Sequence, residues 1–203
     1  MLYRFIVGLV RIGFSFWFSI KFEGKENIPK NKGCVYASNH RSYADPPLIV
    51  LGVKRRFSFM AKEELFEKKF FGGLIARLGA FPVSRGKGDM EVIETAVERL
   101  KKGDNLVIFP EGTRSKDGKV GRGKGGAAVI ASKARTLIVP VGIVFKDEKL
   151  KFRSKIRVVY GKPIDVSEFV TDGEEPAARD LVKLKNRYMA EIKLIVEGEH
   201  ANE

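Results

Sequence analysis

Gly33-Cys34-Val35-Tyr36-Ala37-Ser38-Asn39-His40-Arg41-Ser42-Tyr43-Ala44-Asp45-Pro46-Pro47-Leu48-Ile49-Val50-Leu51 runs from a short β-rich segment through a polar turn into an apolar segment that opens on Asp-Pro. An aspartate followed by proline at the first helical position is a helix-start signal. The stretch therefore reads as strand, turn and helix, the unit from which α/β sheets are built.

The same alternation continues on the C-terminal side. Further strands are expected at 57–60, 80–83, 106–109, 138–145 and 156–160, beside the one at 34–38. Met90, Ile93, Val97 and Leu100 recur on one helical face after Asp89, with Gly103 placed as a C-cap glycine. Leu181, Leu184, Tyr188, Ile192 and Ile195 mark another helix. The pattern predicts a single α/β domain over 22–203, with a central mixed, largely parallel sheet covered by helices. There is no internal repeat or low-complexity tract, and 171–176 is at most a hinge before the last helix. In such sheets, sites form at the carboxyl ends of strands. Three polar clusters fall there: Asn39-His40, Arg85, and Glu111-Gly112-Thr113-Arg114.

At 203 residues the chain can bury a core without disulfides or metal. Its one cysteine, Cys34, cannot form an intramolecular bridge, and its β-rich surroundings suit a buried structural thiol rather than a nucleophile. One cysteine and two distant histidines do not supply a zinc ligand set, so no metal is expected. The 38 Lys and Arg against 25 Asp and Glu leave a net charge of +13, which attracts polyanions or anionic membrane. No nucleic-acid-binding motif or aromatic-interleaved basic tract is present, so the charge points to membrane.

Residues 2–20 are largely apolar, while Arg4, Gly8, Arg11, Ser15 and Ser19 recur at three- and four-residue steps as one narrow stripe. Residues 1–21 are therefore expected to form an amphipathic helix in the membrane interface, with Arg4 and Arg11 toward headgroups and Phe14, Phe16, Trp17 and Phe18 among acyl chains. Arg11 at the centre of the stretch makes a spanning helix the second choice. The charged Lys21-Phe22-Glu23-Gly24-Lys25 run disfavours a cleaved signal peptide. A peripheral or monotopic position on the cytoplasmic face of the cell membrane is the expectation, and an apolar helix packed on the domain is the alternative.

His200 is the fourth residue from the end of the sequence, so a histidine base is sought at His40. Asp45, five positions on, can fix the imidazole tautomer and stabilise the imidazolium. The same aspartate fits a simple helix N-cap, and the two roles can coexist. Beyond Pro110, the segment 111–126 is rich in glycine and cations, a composition suited to phosphate approach but equally to a solvated turn. Its spacing is not that of a Walker loop.

Four segments together are more specific. Asn39-His40-Arg41-Ser42-Tyr43-Ala44-Asp45-Pro46 resembles the first motif of the glycerolipid acyltransferase family, and Gly79-Ala80-Phe81-Pro82-Val83-Ser84-Arg85 its second. Phe109-Pro110-Glu111-Gly112-Thr113-Arg114-Ser115 is similar to the third and Ile138-Val139-Pro140-Val141 to the proline-centred fourth, all in family order. The resemblance implies acyl transfer from a thioester of coenzyme A or acyl carrier protein to a glycerolipid hydroxyl, with no cofactor beyond that co-substrate. The third motif is most similar to that of bacterial-type lysophosphatidic acid acyltransferases, which implies 1-acylglycerol-3-phosphate as acceptor and phosphatidic acid as product. Other lysolipids, lyso-ornithine lipid among them, and glycerol-3-phosphate stay open as acceptors.

By the same resemblance His40 and Asp45 are catalytic and Arg85 and Arg114 bind the acceptor phosphate. Glu111 would position acceptor polar groups or its arginine neighbours, and Gly112 and Thr113 would shape the turn. The chemistry agrees: an alcohol cannot attack a thioester unaided, so a base must remove its proton, and no enzyme nucleophile is required. Two other classes stay in view. An esterase would need a nucleophile that the sequence does not advertise, and a non-catalytic anionic-lipid binding protein would leave the His40–Asp45 pairing without a purpose.

Overall fold

The computed structural model describes residues 2–67, 69–83, 89–147, 149–171 and 175–198. In chain order its elements are α1 (Leu2–Trp17), β1 (Ser19–Glu23), β2 (Val35–Ser38), α2 (Asp45–Leu51), β3 (Phe57–Lys62), α3 (Lys69–Arg77), β4 (Ala80–Val83), α4 (Asp89–Lys101), β5 (Asn105–Ile108), α5 (Gly126–Ala134), β6 (Leu137–Phe145), β7 (Lys155–Tyr160), β8 (Ile164–Asp165) and α6 (Ala178–Glu197).

Strand side chains alternate between two faces, and here both faces are buried. Val35 and Ala37 of β2 join Leu106 and Ile108 of β5 in one cluster, covered by α4, α5 and α6. Tyr36 and Val107 of the same strands point the other way, into a cluster with Leu48, Ile49 and Val50 of α2 and the inward residues Val7 and Phe14 of α1. Strands covered on both faces read as continuous apolar runs, which is why they are legible without alternation. The strand order is β1-β7-β6-β2-β5-β3-β4, with β8 paired to β6. All pairings are parallel except β6 with β7 and β6 with β8. The mixed, largely parallel sheet is as expected.

The prolines sit where they cost no ladder bond. Pro82 lies on the edge strand β4, and Pro140 lies in β6 between its pairing with β8 at Leu137 and Ile138 and its pairing with β7 from Val141 onward. Gly103 ends α4 with φ 91°, a left-handed value that spares a side chain, and its N–H bonds Leu100 O at 2.9 Å. On α6 the buried side chains are Leu184, Tyr188, Ile192 and Val196, and the half-buried Ile195 packs beside Val196 against Gly142 of β6.

Two strands escape the sequence reading. The two-residue β8 is too short to show a period. In β1 the polar residues Ser19, Lys21 and Glu23 alternate with Ile20 and Phe22 directly after a long apolar helix. Arg157 clamps β1 to β7 through Glu23, with Nη2 to Oε2 at 2.6 Å and Nε to Oε1 at 3.1 Å. Arg157 and then Lys21 hold the Glu23 carboxyl down at about 2.

The expected orientation of the N-terminal helix needs correction. Phe18 is buried and Phe14 is packed edge-on against it at 5.5 Å, so neither is free to enter a bilayer. Arg11 donates to Leu51 O at 2.6 Å, at the carboxyl end of α2 where the helix carbonyls attract a cation. The exposed large apolar residues of α1 are Leu2, Phe5, Leu9, Ile12, Phe16 and Trp17, a ridge on the side away from the domain. Among the described residues no helix is long and apolar enough to cross a membrane.

Candidate active site

β2, β5, β3 and β6 run parallel, so their carboxyl ends share one edge of the sheet. Asn39 follows β2 directly and is buried; its Nδ2 donates to Ile143 O at 2.9 Å and its Oδ1 accepts from Ile143 N–H at 2.8 Å. The side chain thus prolongs the β2–β6 ladder by one rung and sets where the next residue leaves the sheet. The fourth segment, Ile138-Val139-Pro140-Val141, is the stretch of β6 paired with β2, so its contribution is to hold that strand.

His40 Nδ1 lies 2.8 Å from Asp45 Oδ2. The imidazole side chain is 19% exposed and the carboxylate fully buried. Asp45 Oδ2 also accepts the main-chain N–H groups of Arg41 at 2.6 Å and Ser42 at 2.7 Å. Oδ1 is buried without a hydrogen-bond partner among the described residues. The carboxylate is therefore compensated through one oxygen, which takes the two main-chain donors and the imidazole together. The N-cap reading is corrected: Ala44 is the N-cap of α2, Asp45 is the first helical residue, and its carboxylate folds back on the preceding turn instead of capping the helix. Its charge still sits at a helix amino end, where it is stabilised.

The His40 ring stacks on Phe109 at 4.0 Å between centroids and 19° between planes. Ring stacking and the Nδ1 contact together leave Nε2 without a hydrogen-bond partner among the described residues. His40 lines an apolar groove of about 770 Å³ between α1, α2, α3 and the ends of β3 and β5. Tyr3, Val10, Val50 and Phe71 are among its walls.

The third segment wraps the base. Glu111 Oε1 accepts the His40 main-chain N–H at 3.0 Å and Oε2 accepts that of Gly121 at 2.9 Å. Ser115 N–H donates to His40 O at 2.8 Å. Gly112, with φ 72°, makes the turn and lines the groove, while Thr113 is exposed on its outer side. Arg114 stacks on the Tyr43 ring, 3.7 Å from guanidinium carbon to centroid, and donates to Tyr43 Oη at 3.0 Å. Tyr43 belongs to the His40 turn and lines the groove, so Arg114 stands at its rim.

The structure thus brings His40, Asp45, Glu111, Gly112 and Arg114 together. Arg85 lies outside the described residues. One cation escaped the sequence reading: Lys62, the last residue of β3, lines the same groove. The signal was available, since β3 was expected and its carboxyl end is where site residues collect. Arg41 is spent elsewhere, with its guanidinium 3.9 Å over Phe145 and donating to Phe145 O at 2.8 Å. Burial pushes the Cys34 thiol up, away from the thiolate a nucleophile needs. Among the described residues no cluster of His, Cys, Asp and Glu could hold a metal ion.

The acyltransferase family profile matches residues 19–144, which contain His40, Asp45, Lys62 and the 111–114 segment but not the α1 residues of the groove wall. This chain belongs to the acyltransferase family. It is 32% identical over 174 residues to the 1-acyl-sn-glycerol-3-phosphate acyltransferase of Bacillus subtilis, covering 83% of this chain and 85% of that one. It is also 32% identical over 162 residues to the chloroplastic 1-acyl-sn-glycerol-3-phosphate acyltransferase of Arabidopsis thaliana, covering 75% of this chain but 45% of that longer protein. Among solved structures, the 1-acyl-sn-glycerophosphate acyltransferase PlsC from Thermotoga maritima superposes with a TM-score of 0.77 at 29% identity, over 98% of this chain and 80% of that one.

Proposed function

We propose that this acyltransferase moves a fatty acyl group from an acyl thioester to the free hydroxyl of 1-acylglycerol-3-phosphate, giving phosphatidic acid. The observation that carries the reading is the His40–Asp45 pair, 2.8 Å apart, with His40 opening onto an apolar groove that has cations at its rim. His40 Nε2 takes the acceptor hydroxyl proton as the oxygen attacks the thioester carbonyl. The tetrahedral intermediate collapses, the C–S bond breaks, and the imidazolium returns the proton to the departing thiolate. Asp45 steadies the imidazolium throughout. Arg114 and Lys62 bind the acceptor phosphate, which turns binding into orientation of the hydroxyl against His40. The groove takes an acyl chain.

The apolar ridge of α1, extended by Phe152 packed on Trp17 at 5.4 Å, supports a seat in the membrane interface. From there a lipid acceptor reaches the groove without crossing water.

The test is transfer from palmitoyl-CoA and from an acyl carrier protein thioester to lysophosphatidic acid, glycerol-3-phosphate and lyso-ornithine lipid, with products resolved by mass. Lysophosphatidic acid is expected to be the preferred acceptor, and His40→Ala to cost about 10²- to 10⁴-fold in rate. Hydrolysis of the thioester without transfer to any acceptor would overturn the reading.

A further inference from the structure

At the carboxyl end of α1 an open depression of about 520 Å³ lies against the edge strand β1. Phe18, Ile20 and Phe22 line it with apolar surface, and Ser15, Ser19, Arg153 and Lys155 line it with donors. Among the described residues none lines both this depression and the groove onto which His40 opens. We propose that the depression holds the headgroup phosphate of an anionic bilayer phospholipid that is not a substrate. The inference rests on the membrane seat of α1 and names the lipid that orients it.

Charge is the first argument. Lys21 and Arg157, on the same two strands, are neutralised by Glu23 at 2.8 and 2.6 Å. Arg153 and Lys155 are exposed, and their side chains have no ion-pair partner among the described residues. Two unpaired cations and two hydroxyls suit a phosphate, which accepts from both kinds of donor. Arg153 has φ 64°, a left-handed value that glycine takes freely and other residues rarely adopt. Its backbone thus gives no reason for an arginine; its charge does. An anion at a helix carboxyl end is ordinarily disfavoured. Here the carbonyls of Phe14 and Trp17 are already taken, by the N–H groups of Phe18 and Arg153, both at 2.7 Å.

Position is the second argument, and it favours a lipid over a soluble phosphate. Phe152, next to Arg153, packs on Phe16 and Trp17 with ring centroids 6.0 and 5.4 Å apart. All three rings are exposed. Phe16 and Trp17 end the apolar ridge of α1, so the free cations stand beside the surface that a bilayer covers. Tryptophan and cations at one level mark the headgroup layer of a membrane. The polar stripe of α1 divides accordingly: Arg11 is drawn to Leu51 O, whereas Ser15 and Ser19 line the depression. Phe152, Arg153 and Lys155 fall beyond residue 144, where the match to the acyltransferase profile ends. The site is therefore separable from the chemistry this chain shares with its family.

Trp17 is the one tryptophan of the chain and accepts from Arg153 N–H, so its fluorescence reports occupancy of the site. The wild-type chain is compared with Arg153→Gln/Lys155→Gln and with Lys133→Gln/Lys185→Gln. The second pair loses the same charge from α5 and α6, in the opposite helix layer. Short-chain phosphatidylglycerol, short-chain phosphatidylcholine and glycerol-3-phosphate, the lipids below their critical micelle concentrations, are titrated against Trp17 emission. Flotation is followed on vesicles of phosphatidylglycerol and of phosphatidylcholine. Wild-type protein should bind phosphatidylglycerol on the order of tenfold more tightly than phosphatidylcholine in both assays. The first pair should lose most of that preference and the second less than about twofold, since charges beyond a Debye length are screened. Transfer to a water-soluble lysophosphatidic acid should be equal in all three proteins. The proposal fails if the two pairs lose equally, which assigns the preference to net charge, or if glycerol-3-phosphate shifts Trp17 emission as strongly as the lipid. Equal binding of both lipids by wild-type protein would overturn the headgroup site and leave the seat of α1 standing. A Trp17 response to phosphatidylglycerol that the first pair abolishes, in a protein that floats on neither vesicle, would uphold the site and overturn the seat.

Discussion

The main-chain N–H of His40 donates to Glu111 Oε1 at 3.0 Å, while the other oxygen of that carboxylate takes the N–H of Gly121. Two segments separated by 71 positions are thereby locked, and the base is held from its backbone as well as from its ring. By resemblance Glu111 was assigned to acceptor groups or arginine neighbours; in the structure both its oxygens are taken by main-chain donors, of His40 and of the glycine-rich turn.

Glu111→Gln should therefore lower kcat by about 10- to 100-fold, with little change in KM for the acyl donor. An amide can accept on one side only, and its NH₂ would face the other main-chain donor, a mismatch worth about 1–3 kcal/mol. Steady-state kinetics beside a melting curve distinguishes this from unfolding. An unchanged kcat with a raised KM for lysophosphatidic acid would show that Glu111 touches the acceptor.

Asp45→Asn should leave the fold intact, since one amide oxygen can still accept from Arg41 and Ser42, and α2 has Ala44 as its N-cap. The rate should fall about 10²- to 10⁴-fold, because the imidazolium loses its counter-charge. Equal losses of stability and activity would instead assign the carboxylate to the turn.

Arg114→Ala and Lys62→Ala should each raise KM for lysophosphatidic acid more than KM for the thioester. A lost charge-assisted contact costs about 1.5–3 kcal/mol, or about 10- to 150-fold. For Arg114 the control is Tyr43→Phe, which removes the hydroxyl acceptor but keeps the stacking face. Equal weakening toward both substrates would count against the phosphate role.

Leu9→Glu/Ile12→Glu should release the protein from vesicles in flotation while sparing transfer to a short-chain, water-soluble lysophosphatidic acid. Two apolar side chains of this size contribute about 3 kcal/mol or more of burial, roughly a hundredfold in partitioning. Point changes on the exposed ridge serve better than removal of residues 1–20. That truncation also takes Tyr3 and Val10 from the groove wall and Ser19 and Ile20 from β1. A doubly substituted protein that floats unchanged would show that α1 serves the groove alone.

The strands covered on both faces, β2, β5 and β6, were legible from residue order alone, because an apolar run bounded by turn residues has few other solutions. Residue order also determined the dyad, since the His40 turn is local and five positions span it. The rest depends on contacts between elements. Whether Asp45 caps a helix or holds an imidazole depends on where one turn folds back. Which phenylalanines of the N-terminal segment face outward depends on α2 and β1 claiming Arg11 and Phe18. That Lys62 joins the groove, that Glu111 is spent on backbone, and that Tyr188 of α6 donates to Lys124 O are contacts between segments remote in the chain. Periodicity reports which face of an element is apolar, but it carries no information on which distant element will lie against that face.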